Sequence, residues 1–298
     1  MRKVRKMTIK IVRTMARAGL KKSFTPILTG LVLLASPAAS QRVASSEKAR
    51  PQPLAWSDIA DLATASPLVI KASVRKISKV SIASPEAGAA PQEYLLVRAR
   101  VDSLIRGDQG VPPEIRFLTF PPTDSDPMTF NPHKVKSILV FARPGANPGE
   151  VRLVSRYAMR PVTPDLETTT RTIVTELLTP DAPPAIIAVG DAFHVSGTVA
   201  EEGETQIFLK TATGMPVSLS IIHRPDQPPR WGVALGEIVD ETAVPPEKNS
   251  LLWYRLACGL PEQLPPSATQ TLPLADTEAA QRDYRFVLES LGRCGRTL

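Results

Sequence analysis

Residues 93–106 read EYLLVRARVDSLIR and alternate between apolar and polar side chains. Five odd positions are apolar and four even positions are charged: Leu95, Val97, Ala99, Val101 and Ile105 against Arg98, Arg100, Asp102 and Arg106. Successive side chains of a β-strand point to opposite faces, so this period of two predicts a strand with one buried face. The fold is therefore expected to be built on sheets.

Apolar runs on both sides of this stretch predict the neighbouring strands. In residues 68–80 the apolar side chains keep one face as far as Val74, and Ile77 then takes the other. A β-bulge near Arg75–Lys76 explains the switch, as in strands that bend around a small barrel. Three later runs predict further strands: EIRFLTF (114–120), SILVFA (137–142) and VRLVSRYAM (151–159).

Three segments have helical spacing instead. WSDIADLATASP (56–67) begins with Ser57 as a candidate N-cap and ends at Pro67. DLETTTRTIVTELL (165–178) carries apolar residues at helical intervals. A third helix begins near Asp276 and ends before Gly292, with an apolar stripe formed by Ala280, Tyr284, Val287, Leu288 and Leu291.

The proline-rich segment TPDAPPA (179–185) separates two strand-rich halves. After it, five runs predict strands: DAFHVSGTVA (191–200), TQIFLKTA (205–212), PVSLSIIH (216–223), RWGVALGEIV (230–239) and LLWYRLAC (251–258). We therefore predict a mainly β protein with a few helices. An OB-like five-stranded barrel occupies residues 55–178, 179–185 is a linker, and 186–298 form a second small β domain closed by the C-terminal helix.

The first forty residues hold the excess positive charge of the chain. The formal net charge is +7, and residues 1–40 carry nine Lys and Arg with no Asp or Glu, which leaves 27 Lys and Arg against 29 Asp and Glu elsewhere. The apolar run PILTGLVLLA and the small residues SPAAS follow the basic part. This order predicts a signal peptide cleaved after Ser40. A membrane anchor is the alternative, but it needs about 20 apolar residues and this run is shorter.

We therefore expect an exported protein, periplasmic or secreted, with no stable membrane insertion after cleavage. Residues 41–54 are polar and form a loose mature N-terminus. The near-neutral mature charge and the few aromatic residues argue against a nucleic-acid partner.

The two cysteines, Cys258 and Cys294, lie in no CxxC motif and have no metal-ligand neighbours. In an oxidising compartment two such cysteines most simply pair. We predict a structural disulfide that fastens the C-terminal helix to the segment ending at Ala257, in preference to a nucleophile or a metal ligand.

Part of the chain resembles the netrin-like module of the tissue inhibitors of metalloproteinases. The resemblance rests on a helix followed by four segments: ASPLVIKASVRKI (65–77), EYLLVRARVDSLIRGD (93–108), IRFLTF (115–120) and KSILVFARPG (136–145). It implies an OB-type barrel over roughly residues 55–160. Those inhibitors chelate the zinc of their target through an N-terminal cysteine, and this chain has no cysteine before Cys258. The resemblance therefore implies a fold without that inhibitory mechanism.

The sequence contains no motif that predicts a catalytic, metal or cofactor site. His133, His194 and His223 lack paired metal-ligand spacing, and we interpret each as structural. HVSG (194–197) places Ser196 two residues from His194, but we expect the two side chains to occupy different sites, and no GxSxG motif is present. AEEGET (200–205) predicts a hairpin turn with a solvated acidic tip.

Two further features bear on binding. Trp231, Glu237, Trp253 and Tyr254 form a candidate ligand surface in the second half, although such aromatic residues are more often core anchors. The adhesion tripeptide at residues 106–108 starts where the alternation stops, and we interpret it as a strand end and a turn.

These observations favour an exported, non-enzymatic module that binds another envelope or extracellular protein, or a ligand. Two alternatives stay open: a hydrolase whose site forms only in the folded second half, and a protease inhibitor by family analogy. A pocket at which His194 or His223 meets a carboxylate and a serine favours the hydrolase.

Overall fold

The computed structural model describes residues 53–83, 90–236 and 243–298. These residues form ten strands in two antiparallel sheets and four α-helices. The strands are β1 (Leu68–Ile82), β2 (Gln92–Arg106), β3 (Glu114–Thr119), β4 (Ser137–Pro144), β5 (Val151–Leu153), β6 (Met159–Pro161), β7 (Ile186–Ser196), β8 (Gly203–Thr211), β9 (Val217–His223) and β10 (Arg230–Leu235). The helices are α1 (Trp56–Ala65), α2 (Pro164–Leu177), α3 (Leu251–Ala257) and α4 (Leu274–Leu291). The prediction of a mainly β chain that ends in a helix is confirmed.

The first sheet has the strand order β3-β2-β1-β4-β5, and β6 also pairs with β4. The long strands β1 and β2 pair along their whole length, and their register shifts between Val74 and Lys76. The predicted bulge is therefore confirmed, and it places Lys76 directly opposite Arg98.

This sheet is not a closed barrel, so the predicted closure is wrong. A single parallel bridge, Arg116 with Glu150, joins β3 to the chain just before β5. The predicted strand 151–159 breaks into β5 and β6 because the chain turns between them, where the backbone N–H of Tyr157 donates to Ser155 Oγ at 3.2 Å. The three residues of β5 are too few to pair along β3.

The second sheet has the order β10-β9-β8-β7, and all its neighbours are antiparallel. The predicted hairpin at residues 200–205 joins β7 to β8, and Glu201 in its turn has a positive φ of 68°. The helix α4 packs against β7 and β8. One face of this sheet is therefore covered by the C-terminal helix.

The prediction of a strand over residues 251–258 is wrong, because Leu251–Ala257 form the helix α3. Ser250 caps this helix, since its Oγ accepts from the backbone N–H of Trp253 at 3.2 Å. A short apolar run does not distinguish a buried strand from a buried helix, and here the cap decides. In α1 the N-cap is Ala55, whose N–H donates to Asp58 Oδ2 at 3.0 Å, and Ser57 lies inside the helix.

The main apolar cluster takes residues from both sheets and from all four α-helices. Its fully buried members include Val69, Ile173, Ile207, Leu256 and Tyr284. The two halves on either side of residues 179–185 thus share one core, and their independence as domains stays a prediction. None of the described helices is long and apolar enough to span a membrane.

Candidate functional site

Three cationic side chains are cross-strand neighbours on the solvent face of the first sheet. The register places Lys76 of β1 opposite Arg98 of β2, and Arg98 opposite Arg116 of β3. All three residues are exposed. Like charges directly opposite one another on adjacent strands destabilise a sheet. This basic row is therefore unfavourable for the sheet by itself, and an anionic ligand would relieve the repulsion.

A cleft of about 560 Å³ opens beside the basic row, where β3 and β5 separate beyond their single bridge. Arg116, Arg152 and Arg156 line it. Glu150 is the single carboxylate among the described residues of its wall, and it lies 3.9 Å from Arg116. The cleft therefore carries a net positive charge.

The same cleft has apolar and aromatic walls. Tyr94 and Phe120 contact each other with ring centroids 5.1 Å apart, and the Arg156 guanidinium lies 5.7 Å from the centre of the Phe120 ring. Phe120 is 44% exposed and Leu118 is 39% exposed. Exposed apolar surface next to cations suits a ligand that carries both carboxylates and apolar groups.

One edge of β3 faces this cleft with free backbone groups. The N–H of Arg116 points to this edge and donates to the carbonyl oxygen of Gly149 at 2.7 Å. Backbone groups alternate along a strand, so the N–H and C=O of Leu118 face the same edge. Among the described residues, neither group of Leu118 has a backbone partner. An added strand can pair with them.

Five polar side chains form a second cluster, between the second sheet and α4. They are Ser196 and His194 of β7, Thr205 of β8, His223 of β9 and Asp283 of α4. His223 Nε2 lies 2.6 Å from Asp283 Oδ1, and His194 Nδ1 lies 2.8 Å from Thr205 Oγ1. The Thr205 hydroxyl donates to Asp283 Oδ2, and Ser196 Oγ lies 3.5 Å from His194 Nε2. We call this set the polar chain.

The expectation that His194 and Ser196 occupy different sites is wrong. Residues two apart in a strand project from the same face, so β7 brings the two side chains together. Gly203 leaves the space for the His194 ring, because a Cβ at residue 203 would lie 3.2 Å from the ring atom Cε1.

A pocket of about 180 Å³ adjoins the polar chain. His194, His223 and Asp283 line it together with Glu201, Glu202 and Arg282. In the part of the chain that the structure describes, no group of His, Cys, Asp or Glu is arranged to hold a metal ion.

The candidate ligand surface of the sequence is not assembled as one exposed patch. Trp231, Trp253 and Tyr254 are each at most 5% exposed. Trp231 Nε1 donates to Ser290 Oγ at 2.8 Å, and Trp253 Nε1 donates to the carbonyl oxygen of Leu291 at 2.9 Å. Glu237 lies outside the described residues. The three aromatic residues are core anchors in this fold.

The predicted disulfide between Cys258 and Cys294 is present and follows α3 directly. It therefore fastens the C-terminal tail to a helix, where a strand was expected. The tripeptide at residues 106–108 lies at a strand end, as predicted, because Arg106 is the last residue of β2. The guanidinium of Arg106 donates to the carbonyl oxygen of Ala63 at 2.8 Å.

Neither the protein-family models nor the curated proteins contain a match to this chain.

Proposed function

We propose that this chain is an exported binding protein that takes up an acidic, extended segment of another envelope or extracellular protein in the cleft between β3 and β5. The observation that carries the proposal is the positive charge of the cleft: Arg116, Arg152 and Arg156 line it, and Glu150 is the single carboxylate among its described residues. A ligand with carboxylates along an extended segment neutralises these arginines.

The edge of β3 supports an extended ligand in particular. Strand addition to a free sheet edge gives affinity through backbone hydrogen bonds, and pockets along the edge select alternate side chains. Leu118 supplies the free backbone groups, Arg116 projects from the exposed face of β3, and Phe117 projects from the opposite face and lines the cleft with apolar surface. The ligand that fits is a segment in which acidic residues alternate with apolar ones.

Export is supported by two independent features. The basic and apolar order of residues 1–40 is typical of a signal peptide. The disulfide between Cys258 and Cys294 is typical of proteins outside the cytoplasm. We therefore place the protein in the periplasm or outside the cell, where its partner is another protein of that compartment.

The strand order also supports an OB-type origin for the first sheet. A meander of β1, β2 and β3, the pairing of β4 with β1, and a parallel bridge near β5 are the elements of such a barrel. We also propose that residues 55–160 resemble the netrin-like module. This proposal rests only on the order of the segments along the sequence.

The test uses the mature chain and a labelled eight-residue peptide of alternating Glu and Val. Fluorescence anisotropy should show binding that weakens as salt rises, and a peptide with Lys in place of Glu should not bind. The triple variant Arg116→Gln, Arg152→Gln, Arg156→Gln, which removes the cations of the cleft, should bind at least about 10-fold more weakly, because three favourable charge contacts are lost.

The matched control removes the same charge from other exposed positions. It combines Lys134→Gln, Lys210→Gln and Arg224→Gln, all of which lie outside the cleft. Equal affinity of the two triple variants would show that net charge alone drives binding and would overturn the proposed site. Capture of partners from the native envelope with the mature protein, compared with the cleft variant, then identifies the natural ligand.

A further inference from the structure

The polar chain has no part in the binding cleft, since its residues lie on β7, β8, β9 and α4. Thr205 is fully buried and Asp283 is 4% exposed. A buried carboxylate is unfavourable unless its oxygens accept hydrogen bonds, and here both oxygens do so. Replacing a buried charged group and its partner by apolar residues is often neutral or stabilising, so packing alone does not account for the cluster. The arrangement therefore points to a chemical use.

The hydrogen bonds fix where the protons lie. The hydroxyl of Thr205 has one proton, and it donates that proton to Asp283 Oδ2. The bond between Thr205 Oγ1 and His194 Nδ1 must then take its proton from the imidazole. In neutral His194 the lone pair is consequently on Nε2, the atom that faces Ser196 Oγ.

We infer that Ser196 is an acyl-accepting nucleophile with His194 as its general base, for small ester substrates bound next to Ser196 at the pocket that His194 lines. Thr205 and Asp283 are positioning residues that hold the His194 ring and its tautomer. His223 is a third positioning residue, since it donates to the other oxygen of Asp283 at 2.6 Å. The distance of 3.5 Å between Ser196 and His194 is long, as is common for catalytic hydrogen bonds without substrate.

The reaction consists of two balanced steps. Ser196 Oγ forms a bond to the ester carbonyl carbon while its proton passes to His194 Nε2, and the C–O bond to the alcohol then breaks as His194 returns the proton to the leaving oxygen. Water attacks the acyl-Ser196 carbonyl with its proton passing to His194, and Ser196 Oγ recovers that proton as the carboxylic acid leaves. Ester and water are the only reactants.

The pocket restricts the substrate. Its volume of about 180 Å³ accommodates a short acyl group such as acetyl, and a longer chain would extend outside it. The proposed substrates are therefore short-chain acyl esters.

The experiment exposes the mature protein to a fluorophosphonate probe and locates the label by mass spectrometry, with p-nitrophenyl acetate and octanoate as substrates. We expect label on Ser196 and faster hydrolysis of the acetate than of the octanoate. Ser196 is exposed, so Ser196→Ala should fold normally and lose both label and activity. His194→Gln should slow labelling at least about 100-fold, the usual share of a general base.

Two pairs of variants separate catalysis from structure. Thr205→Ser keeps the hydroxyl and should label within about 3-fold of the wild-type rate, whereas Thr205→Val removes it and should label at least about 10-fold more slowly, because the tautomer of His194 is no longer held. His133→Gln and Ser81→Ala, at exposed positions outside the polar chain, should leave the rates unchanged.

Three results would overturn the inference. They are a label that falls on other residues and not on Ser196, acetate hydrolysis by Ser196→Ala at the wild-type rate, and equal labelling of Thr205→Val and Thr205→Ser. Each leaves the binding function of the cleft intact, because no residue of the polar chain lines that cleft.

Discussion

The hydroxyl of Tyr254 on α3 lies 2.5 Å from Oδ1 of Asp61 on α1. The C-terminal tail contacts the same helix α1. Arg296 Nε lies 2.6 Å from Asp61 Oδ2, and the N–H of Thr297 donates to Asp58 Oδ1 at 2.9 Å. The disulfide at Cys294 holds this tail against the end of α3. The last residues of the chain therefore tie two helices that are about two hundred positions apart in sequence.

Loss of the disulfide should destabilise the protein substantially. Cys258 and Cys294 are 36 residues apart, and a loop of that size contributes about 3–4 kcal/mol in the chain-entropy account. The double variant Cys258→Ser, Cys294→Ser should unfold at correspondingly lower urea concentration. Reduced wild-type protein should have the same urea midpoint as the variant, and reductant should not change the urea midpoint of the variant. An unchanged urea midpoint would contradict the role of the tail as a clamp.

The stability of the fold should fall as the pH rises from 10 to 12. Burial, followed by the hydrogen bond to Asp61, raises the pKa of Tyr254 from 10.0 to about 12. The folded state thus holds a proton that the unfolded state releases, so this stabilisation is complete below pH 10 and is lost toward pH 12. Urea unfolding across this range checks the slope.

Tyr254→Phe should make that fall shallower. It should not abolish it, because burial also raises the pKa of Tyr284, whose proton is released on unfolding above pH 10. Identical slopes for the variant and the wild type would show that Tyr254 is not the group that titrates.

Asp108→Glu should change neither stability nor cell attachment. The tripeptide at residues 106–108 is a strand end whose arginine is held by the carbonyl oxygen of Ala63. Arg106→Lys, by contrast, should lower the free energy of unfolding by about 1 kcal/mol, because one hydrogen bond is lost. Thermal unfolding and a cell-adhesion assay check both. Reduced attachment with Asp108→Glu would restore the adhesion interpretation.

Local pattern was enough to predict most of the strands and three of the helices. Alternation in β2, the bulge in β1 and the stripe of α4 are each encoded by neighbours in sequence. The helix α3 was missed because a seven-residue apolar run has no readable period, and its type is set by Ser250 and by burial against other helices. The barrel failed to close because β5 is short, which the run at 151–159 did not reveal.

The two candidate sites could not be predicted from local sequence pattern, for a different reason. The sequence placed Arg98 on a polar face, but the row with Lys76 and Arg116 depends on the register of three strands. The pair of His194 and Ser196 could have been predicted, because residues two apart on a strand share a face. Asp283 could not, because it lies on a helix 78 positions after its partner Thr205. Contacts of that range leave no mark on local periodicity.

Neutralising the centre of the basic row should raise the stability of the protein. Arg98 faces a cation on each side, and removing one like-charge neighbour is worth about 0.2–1 kcal/mol. Arg98→Gln should therefore unfold at higher urea concentration than the wild type at low salt, and the difference should shrink as salt screens the repulsion. A variant less stable than the wild type at all salt concentrations would show that the row is not strained.

The most direct test of the binding cleft is hydrogen exchange at the amide of Leu118, followed by NMR with and without the Glu-Val peptide. The N–H of Leu118 faces the free edge of β3, so a peptide added as a strand should bond to it and slow its exchange by at least about 10-fold. Amides of β10, in the other sheet, should exchange as before. Slower exchange confined to Leu118 and its edge neighbours is the predicted result, and unchanged exchange of Leu118 at saturating peptide would contradict strand addition in this cleft.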